Sequence, residues 1–323
     1  MMATEGSRGS IRLRNSIALS FVHICTSIGL LSYHVNAEYT TVDSSERSFL
    51  ERLSLGPEYF TTMDKVLFGV LVLLGLELIN FVAGSSGYWM NSKTIPVRGK
   101  HLDDFRSRDL LFIGISKAQT APFSYFFVKY LISESNVLWS LDDISLKTLL
   151  LPLPLYFIVF DFFYTILHWA LHIKAIYGFV HKHHHIQKAP SRANHDAINV
   201  HPLEFFLGEY NHLLAVYLCC HHLNLQVHAL STVLFLGVGG VLAGWNHTRF
   251  DIEFAPFGIM VFDSKAHDVH HRIPQSNYGQ YTMFWDRVFG SYRPYDPKDR
   301  VNSKSQLDPK TGKSYEYAEG KSL

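Results

Sequence analysis

The sequence predicts an all-α integral membrane protein with about four transmembrane helices, a shorter apolar helical hairpin and a cytosolic, histidine-rich helical cap. Three observations support this prediction. Charged residues make up 18% of the 323 residues, whereas they make up about a quarter of a soluble protein. Aromatic residues reach 14%, and the mean hydropathy is slightly positive. Apolar runs of about 20 residues, the length that crosses a bilayer, recur along the chain.

Six apolar runs define the predicted membrane region. We interpret the first, Ile17–Val35, as an anchor helix, and a cleaved signal peptide is the alternative. The other runs are Val66–Met90, Leu110–Ile132, Thr148–Leu167, and the hairpin pair Pro202–Leu218 and Val227–Trp245. The predicted organisation is an N-terminal anchor with a lumenal loop (1–62), a transmembrane region (63–147), a histidine-rich domain (148–293) and a polar tail (294–323).

The charges of the loops predict the orientation, because Lys and Arg collect on the cytosolic side of a membrane. The segment before Ile17 is basic, and the loop after the first run is mostly acidic. The loop from Lys93 to Arg108 is basic again, and the next one carries Glu134, Asp142 and Asp143. This alternation places the residues after Leu167 in the cytosol. The apolar hairpin then returns the chain to the same side.

Composition also excludes some classes of function. A formal net charge of +1 does not support nucleic-acid binding, which needs a strongly basic face. The three cysteines, Cys25, Cys219 and Cys220, lie in apolar runs and include no CxxC pair. A disulfide framework and a thiolate zinc site are therefore not expected.

Histidine is the unusual residue of this chain. There are 19 histidines, and sixteen of them lie between His168 and His271. Three motifs stand out by their spacing. They are the pair His168 and His172, the triplet His181, His184 and His185, and the triplet His267, His270 and His271. Spacings of three and four residues place side chains on one face of a helix, so each motif predicts a cluster of imidazoles.

The physical cost of such a cluster predicts a metal centre. A buried polar group without a partner costs about 1–3 kcal/mol, and neighbouring imidazoles cannot all be protonated because like charges lower one another's pKa. Metal ions relieve both problems, since they bind neutral ring nitrogens. More than six candidate ligands exceed the needs of one ion, so two ions are implied. Ligand type alone leaves zinc, copper, iron and nickel open. A closed zinc site needs only four ligands, which is fewer than this set offers. We therefore favour iron.

In this order, the motifs resemble the fatty acid hydroxylase/sterol desaturase superfamily of membrane di-iron enzymes. The resemblance covers roughly Leu150 to Arg293 and adds an isolated His247 after the hairpin. The segment Asn277–Arg293 is similar to the end of sterol C-5 desaturases and C-4 methylsterol oxidases. Read without the family, that segment predicts an aromatic amphipathic stretch docked on the membrane surface. Ala243 stands where fatty acid 2-hydroxylases have a further histidine, which argues against close kinship with them.

The resemblance implies a set of site residues within a catalytic domain over 148–293. The implied iron ligands are His168, His172, His181, His184, His185, His247, His267, His270 and His271. His201, Glu204 and Asp268 are implied as supporting residues beside the ligands. We expect Asp268 to orient a ligand by accepting a hydrogen bond from its other ring nitrogen.

The resemblance also implies a function. We expect a membrane-bound oxidoreductase that uses two iron ions, O2 and electrons from a separate donor, such as cytochrome b5 with an NAD(P)H-dependent reductase. It would hydroxylate or desaturate a lipid, with a sterol favoured, in the endoplasmic reticulum and with its active site facing the cytosol. A fatty-acyl or alkyl-lipid hydroxylase of the same superfamily is the alternative. A non-catalytic membrane zinc carrier and a sterol-binding member without turnover are further alternatives.

Overall fold

The computed structural model describes residues 47–98, 100–258 and 260–297. The predicted anchor Ile17–Val35 and the predicted tail beyond residue 297 lie outside these ranges. The anchor and the tail therefore stay predictions.

Helices form most of the described chain. The α-helices are α1 (Phe49–Leu55), α2 (Thr62–Trp89), α3 (Ser107–Ser133), α4 (Pro152–Leu171), α5 (Lys174–Tyr177), α6 (Asn194–Ala197), α7 (Pro202–Tyr217), α8 (Ala229–Trp245), α9 (Ser264–Arg272) and α10 (Phe284–Phe289). Wider π-helical turns at Leu146–Leu150 and Leu218–His222 precede α4 and follow α7. Single 3-10 turns lie at Pro57–Tyr59, Leu141–Asp143, His184–Ile186 and Pro256–Gly258.

Two pairs of very short strands depart from the predicted all-α fold. Strand β1 (Val137–Leu138) pairs in parallel with β2 (Val227–His228). Strand β3 (Glu253–Phe254) pairs antiparallel with β4 (Phe262–Asp263). Each pair lies where loops between helices run side by side, and the pairing satisfies backbone groups that the loops would otherwise leave without partners.

Two helices in the described ranges are long and apolar enough to cross a membrane, namely Thr62–Trp89 with 28 residues and Leu146–Leu171 with 26. Few of the α2 residues are buried, and Leu74, Leu78 and Phe81 are exposed. An apolar surface of this extent is unfavourable in water, which is consistent with an α-helical membrane protein. Helix α3 is of similar length but carries the charged residues Lys117 and Lys129.

Local sequence explains where these helices begin. The Thr61 side chain accepts from the Asp64 backbone N–H while the Asp64 carboxylate accepts from the Thr61 N–H, a reciprocal cap that starts α2. Helix α7 begins at Pro202. Proline suits the first turn because a backbone N–H at that position would have no acceptor within the helix. The His201 ring nitrogen Nδ1 caps the same turn by accepting from the Leu203 N–H at 3.2 Å.

Small residues let α2, α6 and α8 approach closely. A Cβ atom at Gly244 of α8 would lie 2.5 Å from the Ala83 Cβ of α2, and one at Gly87 would lie 2.0 Å from the Phe250 ring. No larger side chain fits either position unless a neighbouring residue shifts. This packing brings the C-terminal end of α8, and with it His247, against α6.

A buried carboxylate ties the last loop to α4. Asp161 is fully buried and accepts from the backbone N–H groups of Gln280, Tyr281 and Thr282 at 3.2, 3.1 and 2.5 Å. The Thr282 hydroxyl donates to the same carboxylate at 2.8 Å. A buried charge is stable only when it is hydrogen-bonded in this way, so Asp161 sets the path of the loop between α9 and α10.

We predict that Asp161→Asn destabilises the chain by on the order of 3 kcal/mol, because an amide nitrogen would then face backbone donors that a carboxylate accepts from. Thermal unfolding in detergent measures the effect. Asp143→Asn is the matched control, since Asp143 is exposed and its loss leaves the core unchanged. Equal unfolding temperatures for the two variants would contradict this account of the loop.

Candidate metal centre

The three histidine motifs come together in space although they are far apart in sequence. His168 lies in the last turn of α4, and His172 is the residue that ends that helix. His181, His184 and His185 lie in the turns that follow α5. The other triplet lies on α9, and His247 follows α8 directly.

The nine implied ligands fall into two groups, and within each group one ring nitrogen from every residue lies within 4.8 Å of the others. The groups are His168, His172, His181, His185 and His270, and His184, His247, His267 and His271. Eight of the nine are at most 8% exposed, and His172 is partly buried. The two groups adjoin, because the rings of His185 and His271 lie 5.0 Å apart.

Each triplet contributes to both groups. His181 and His185, four residues apart, lie in the five-membered group, while His184 lies in the four-membered group. The second triplet does the reverse: His267 and His271 lie in the four-membered group, and His270 in the five-membered one. The repeated spacing therefore interlocks the two groups.

Hydrogen bonds to the rear nitrogens fix the orientation of most rings. Nδ1 of His168 donates to the Tyr278 carbonyl at 2.8 Å, and Nδ1 of His270 donates to the Ser276 carbonyl at 2.7 Å. Nδ1 of His271 donates to the Gln187 carbonyl at 2.9 Å. Because a carbonyl oxygen can only accept, these Nδ1 atoms carry the proton, and each Nε2 keeps a lone pair.

His247 and His181 follow the same pattern. Nδ1 of His247 donates to the Ala243 carbonyl at 2.8 Å, and Nδ1 of His181 donates to the Glu204 carboxylate at 2.7 Å. The Nε2 atoms of His168 and His181 then face each other at 3.0 Å with a lone pair on each. Two acceptors at this distance repel unless a cation lies beside both. The geometry therefore fits metal ions.

The remaining contacts between ring nitrogens agree with this fit. Nε2–Nε2 distances are 2.9 Å for His185–His181, 3.1 Å for His270–His185 and 3.1 Å for His271–His267. Two nitrogens about 2.1 Å from one ion lie about 3.0 Å apart at a right angle and about 3.4 Å apart at the tetrahedral angle. In the five-membered group the distances are nearer the first value, which suits an ion with more than four ligands. In the four-membered group His267–His247 at 3.2 Å and His247–His184 at 3.3 Å lie midway between the two values or nearer the tetrahedral one.

The environment keeps the clustered imidazoles neutral. Burial, followed by the charges of neighbouring imidazoles, holds the pKa values of His185, His270 and His271 well below the usual value. The same two causes lower the pKa values of His184 and His267. Neutral imidazole is the form that binds metal ions, so these residues are ready to act as ligands at physiological pH.

Of the three residues expected to support the ligands, Glu204 contacts one directly. It lies in the first turn of α7, is buried, and accepts from His181 through Oε1, while its Oε2 is buried without a hydrogen-bond partner in the described chain. A carboxylate behind a ligand histidine fixes the ring and raises its basicity. His201 instead caps α7, and its ring packs against Phe112 at 5.6 Å.

Asp268 has different partners from those expected. Its carboxylate accepts from Arg249 Nη1 at 2.8 Å and from Arg272 Nε at 2.9 Å, rather than from a ligand ring. Arg249 also donates to the carbonyls of Ile95 and Pro96. Asp268 therefore ties α9 to Arg249, which precedes the helix, and also pairs with Arg272 within the same helix. The prediction failed because Arg249, 19 residues upstream, gives no local signal beside Asp268.

The other histidines of the region lie outside the two groups. His183 points away from both, and its Nε2 lies 2.9 Å from Asn199 Oδ1 and 3.0 Å from Asp109 Oδ1 at the start of α3. His221 and His222 lie at the opposite end of α7 and are exposed. His195 contacts α2 and α3.

Sequence reasoning selected Glu204 but missed the other acceptors that orient the rings. Four of the five are backbone carbonyls, of Gln187, Ala243, Ser276 and Tyr278. A carbonyl is present at every residue, so no side-chain pattern marks it. The one available signal was the Asn277-Tyr278-Gly279 turn, in which Asn277 adopts a positive φ of 56°.

The chain is similar to known proteins over this histidine-rich region. Residues 153–291 match the family model described as fatty acid hydroxylase. Rat methylsterol monooxygenase 1 is 32% identical over 155 residues, which are 46% of this chain and 50% of that protein. Rat lathosterol oxidase is 31% identical over 130 residues, 39% of this chain and 40% of its own length. The Delta(7)-sterol 5(6)-desaturase of Eremothecium gossypii is 32% identical over 143 residues, 44% of this chain and 38% of its own length.

These matches confirm the predicted resemblance to the fatty acid hydroxylase/sterol desaturase superfamily and to its sterol-oxidising members. The matched region contains all nine clustered histidines. The chain spans half or less of the length of these relatives. No solved structure matches the chain.

We predict that Glu204→Gln lowers the affinity for a divalent metal about 10–100-fold, because His181 loses its anionic partner. Titration of the metal-depleted chain with Co2+, followed by absorbance, measures the affinity without any need for turnover. Glu209→Gln, a change of the same kind on the same helix but outside both groups, should leave the affinity within twofold of the wild type. If the Glu204→Gln variant binds Co2+ as tightly as the wild type does, Glu204 has no role in supporting the metal ligand His181.

Proposed function

We propose that this chain is a membrane-bound, di-iron oxidoreductase that uses O2 and externally supplied electrons to hydroxylate or desaturate a lipid, with a sterol as the favoured substrate. The observation that carries the proposal is the interlocked pair of buried imidazole groups with converging lone pairs. Iron is favoured over zinc because nine ligands exceed two closed tetrahedral sites and because the nitrogen distances of the five-membered group suit higher coordination. Bound iron would supply O2 activation and the oxidation of the C–H bond.

The protein supplies position and a dry environment around the centre. His168 and His172 end a helix whose apolar length suits a bilayer, so the centre lies where such a helix would leave the membrane. Phe160 and Tyr164, two turns and one turn before His168 on α4, stack at 5.4 Å. The Tyr164 ring contacts the His168 ring at 5.4 Å. An apolar, aromatic approach of this kind suits a hydrophobic substrate that arrives from the bilayer.

Sterol substrates are supported by the relatives of this chain, whose names are those of sterol oxidases and desaturases. A catalytic domain over 148–293 would then hold the chemistry. Electrons would come from a separate protein such as cytochrome b5 with its NAD(P)H-dependent reductase. The endoplasmic reticulum is the proposed location.

We propose four spans, Ile17–Val35 among them, with the apolar hairpin formed by α7 and α8 and the centre on the cytosolic side. The alternation of basic and acidic loops supports this orientation. We expect Asp104→Cys, in the basic loop, to react with a membrane-impermeant maleimide in sealed microsomes, and Asp142→Cys to react only after the membrane is opened. Both residues are exposed, so accessibility of the side chain does not bias the comparison with the unsubstituted chain. The reverse labelling pattern would contradict the orientation.

We predict that His184→Ala and His271→Ala each abolish formation of the oxidised lipid, because each removes a ligand from the four-membered group. Purified wild-type chain should contain two irons, and each variant fewer. His222→Ala is the matched control, since His222 is exposed at the far end of α7, and it should keep both activity and iron. Retained activity in either ligand variant would refute the assignment, and a variable zinc load without iron would favour the metal carrier.

A further inference from the structure

Two charged residues lie deep in the apolar helices and take no part in the metal centre. Glu77 of α2 lies 12 residues before the end of that helix at Trp89, which is about 18 Å at 1.5 Å per residue. Lys117 of α3 lies 10 residues after the start of that helix at Ser107, about 15 Å. With a hydrocarbon core about 30 Å thick, both lie near the middle of the proposed membrane region. Ionisable residues at this depth are rare and mark functional sites.

The two residues form one polar site together with His195 of α6. The Lys117 ammonium donates to the Glu77 carboxylate and lies 3.3 Å from Nε2 of His195. The same ring nitrogen lies 3.6 Å from Glu77 Oε2. Asn80, one turn after Glu77 on α2, accepts from the His195 backbone N–H at 3.3 Å. The site therefore joins α2, α3 and the loop that carries α6.

Within this polar site Glu77 faces outward from the bundle, while Lys117 and His195 are largely buried. The Glu77 side chain is 50% exposed, and its neighbours Leu73, Leu74 and Leu78 are exposed apolar residues. On α3, Gly114 lies one turn before Lys117, and a Cβ atom there would meet nothing within 4 Å. Space is thus open beside the pair. Lys117 neutralises this carboxylate from within the bundle, and its exposed side still lies among lipid-facing leucines, where a further polar contact is favourable.

The site is also connected to the metal centre by a short path. His195 is two residues from Ala193, whose N–H donates to the His247 carbonyl at 3.0 Å. The same loop packs on α2, where a Cβ atom at Gly84 would be in ordinary contact with the Ala193 Cβ at 3.8 Å. His247 belongs to the four-membered group. A molecule bound at the polar site would therefore lie next to the loop that packs on the centre.

The chemistry of the pair selects a neutral polar group. A hydroxyl both donates and accepts, so it can donate to the Glu77 carboxylate and accept from the Lys117 ammonium. An anionic headgroup would be repelled by Glu77, and a cationic one by Lys117. Neither charge needs a counter-ion from the ligand, because the two already neutralise each other.

We infer that Glu77, Lys117 and His195 form a binding site for the hydroxyl group of an amphiphilic lipid alcohol, which enters from the bilayer between α2 and α3 on its way to the metal centre. The inference rests on the proposed function, because it takes the substrate to be a membrane lipid. It adds an entry site and a headgroup chemistry that the metal ligands do not specify.

Photolabelling of the wild-type, full-length chain in lipid nanodiscs tests the site without any turnover. The probe is a sterol with a free hydroxyl and a diazirine on the adjacent ring, and the matched probe is its methyl ether. We expect adducts on the peptides that contain Glu77 or Lys117, with at least fivefold less labelling by the ether. Labelling confined to other peptides, or equal labelling by both probes, would overturn the site.

Kinetics in the presence of the electron donor give a second, independent readout. Glu77→Leu and Lys117→Met should raise KM for the sterol at least fivefold and leave kcat and iron content within twofold. Leu78→Ala, a lipid-facing change one residue from Glu77, is the matched control and should change neither constant. An unchanged KM in both charge variants would overturn the site, as would cross-links from this face to a second copy of the chain. If a charge variant fails to fold, the photolabelling of the wild type decides.

The two proposals can fail separately. Sterol labelling at Glu77 and Lys117 in a wild-type chain that oxidises no lipid would support the site and contradict the oxidoreductase. If the wild-type chain oxidises a lipid but shows no labelling at Glu77 or Lys117, the oxidoreductase is supported and the polar site is contradicted.

Discussion

The constraint on which the rest of this structure depends is the mutual repulsion of imidazole lone pairs. His168 and His181 both donate through Nδ1, to the Tyr278 carbonyl and to Glu204, so their Nε2 atoms meet at 3.0 Å with no proton between them. Close Nε2–Nε2 contacts also occur in the four-membered group, at 3.1 Å between His271 and His267 and at 3.2 Å between His267 and His247. Such an arrangement is unstable on its own, and it becomes favourable when cations bind it. Metal binding would then contribute directly to the free energy of folding, because the implied ligands come from α4, α9, the turns after α5 and the end of α8.

Further hydrogen bonds hold in place the carbonyl groups that accept from the histidine rings. The Tyr278 carbonyl orients His168, and the Tyr278 N–H donates to Asp286 at 2.7 Å. Residues 280–282, just beyond, are held by Asp161 on α4. One helix thus supplies both a ligand and the anchor for the loop that orients it. Loss of the anchor would therefore reach the metal centre through the backbone, without any change to a ligand.

The sequence was sufficient to select the nine histidines that cluster, but not to show how they divide into two groups. Helical spacing correctly predicted that His168 and His172 lie close together at the end of α4. It also correctly predicted that the downstream triplet lies on one helix, which is α9. The upstream triplet was also expected to use helical spacing, yet it lies in turns and a short 3-10 segment. Each triplet is divided between two groups, and no rule based on one motif contains that division, because it depends on how two distant segments cross. The predicted role of Asp268 failed for the same reason, since its partner Arg249 arrives from another segment.

The distribution of charge around the centre has a chemical consequence. The imidazoles are neutral, Asp268 is already neutralised by Arg249 and Arg272, and Glu204 is the carboxylate that contacts a ligand ring in the described chain. Two divalent ions held here would keep most of their positive charge, in a site from which water is largely excluded. Electrostatic interactions are stronger in such a low-dielectric environment, so a centre of this kind favours the uptake of electrons. A carboxylate-rich site would lose that advantage, because its ligands would cancel the charge of the ions. The dominance of histidine therefore matters for the chemistry as well as for the fold, and it suits the proposed function, in which an external donor reduces the centre before it oxidises a lipid.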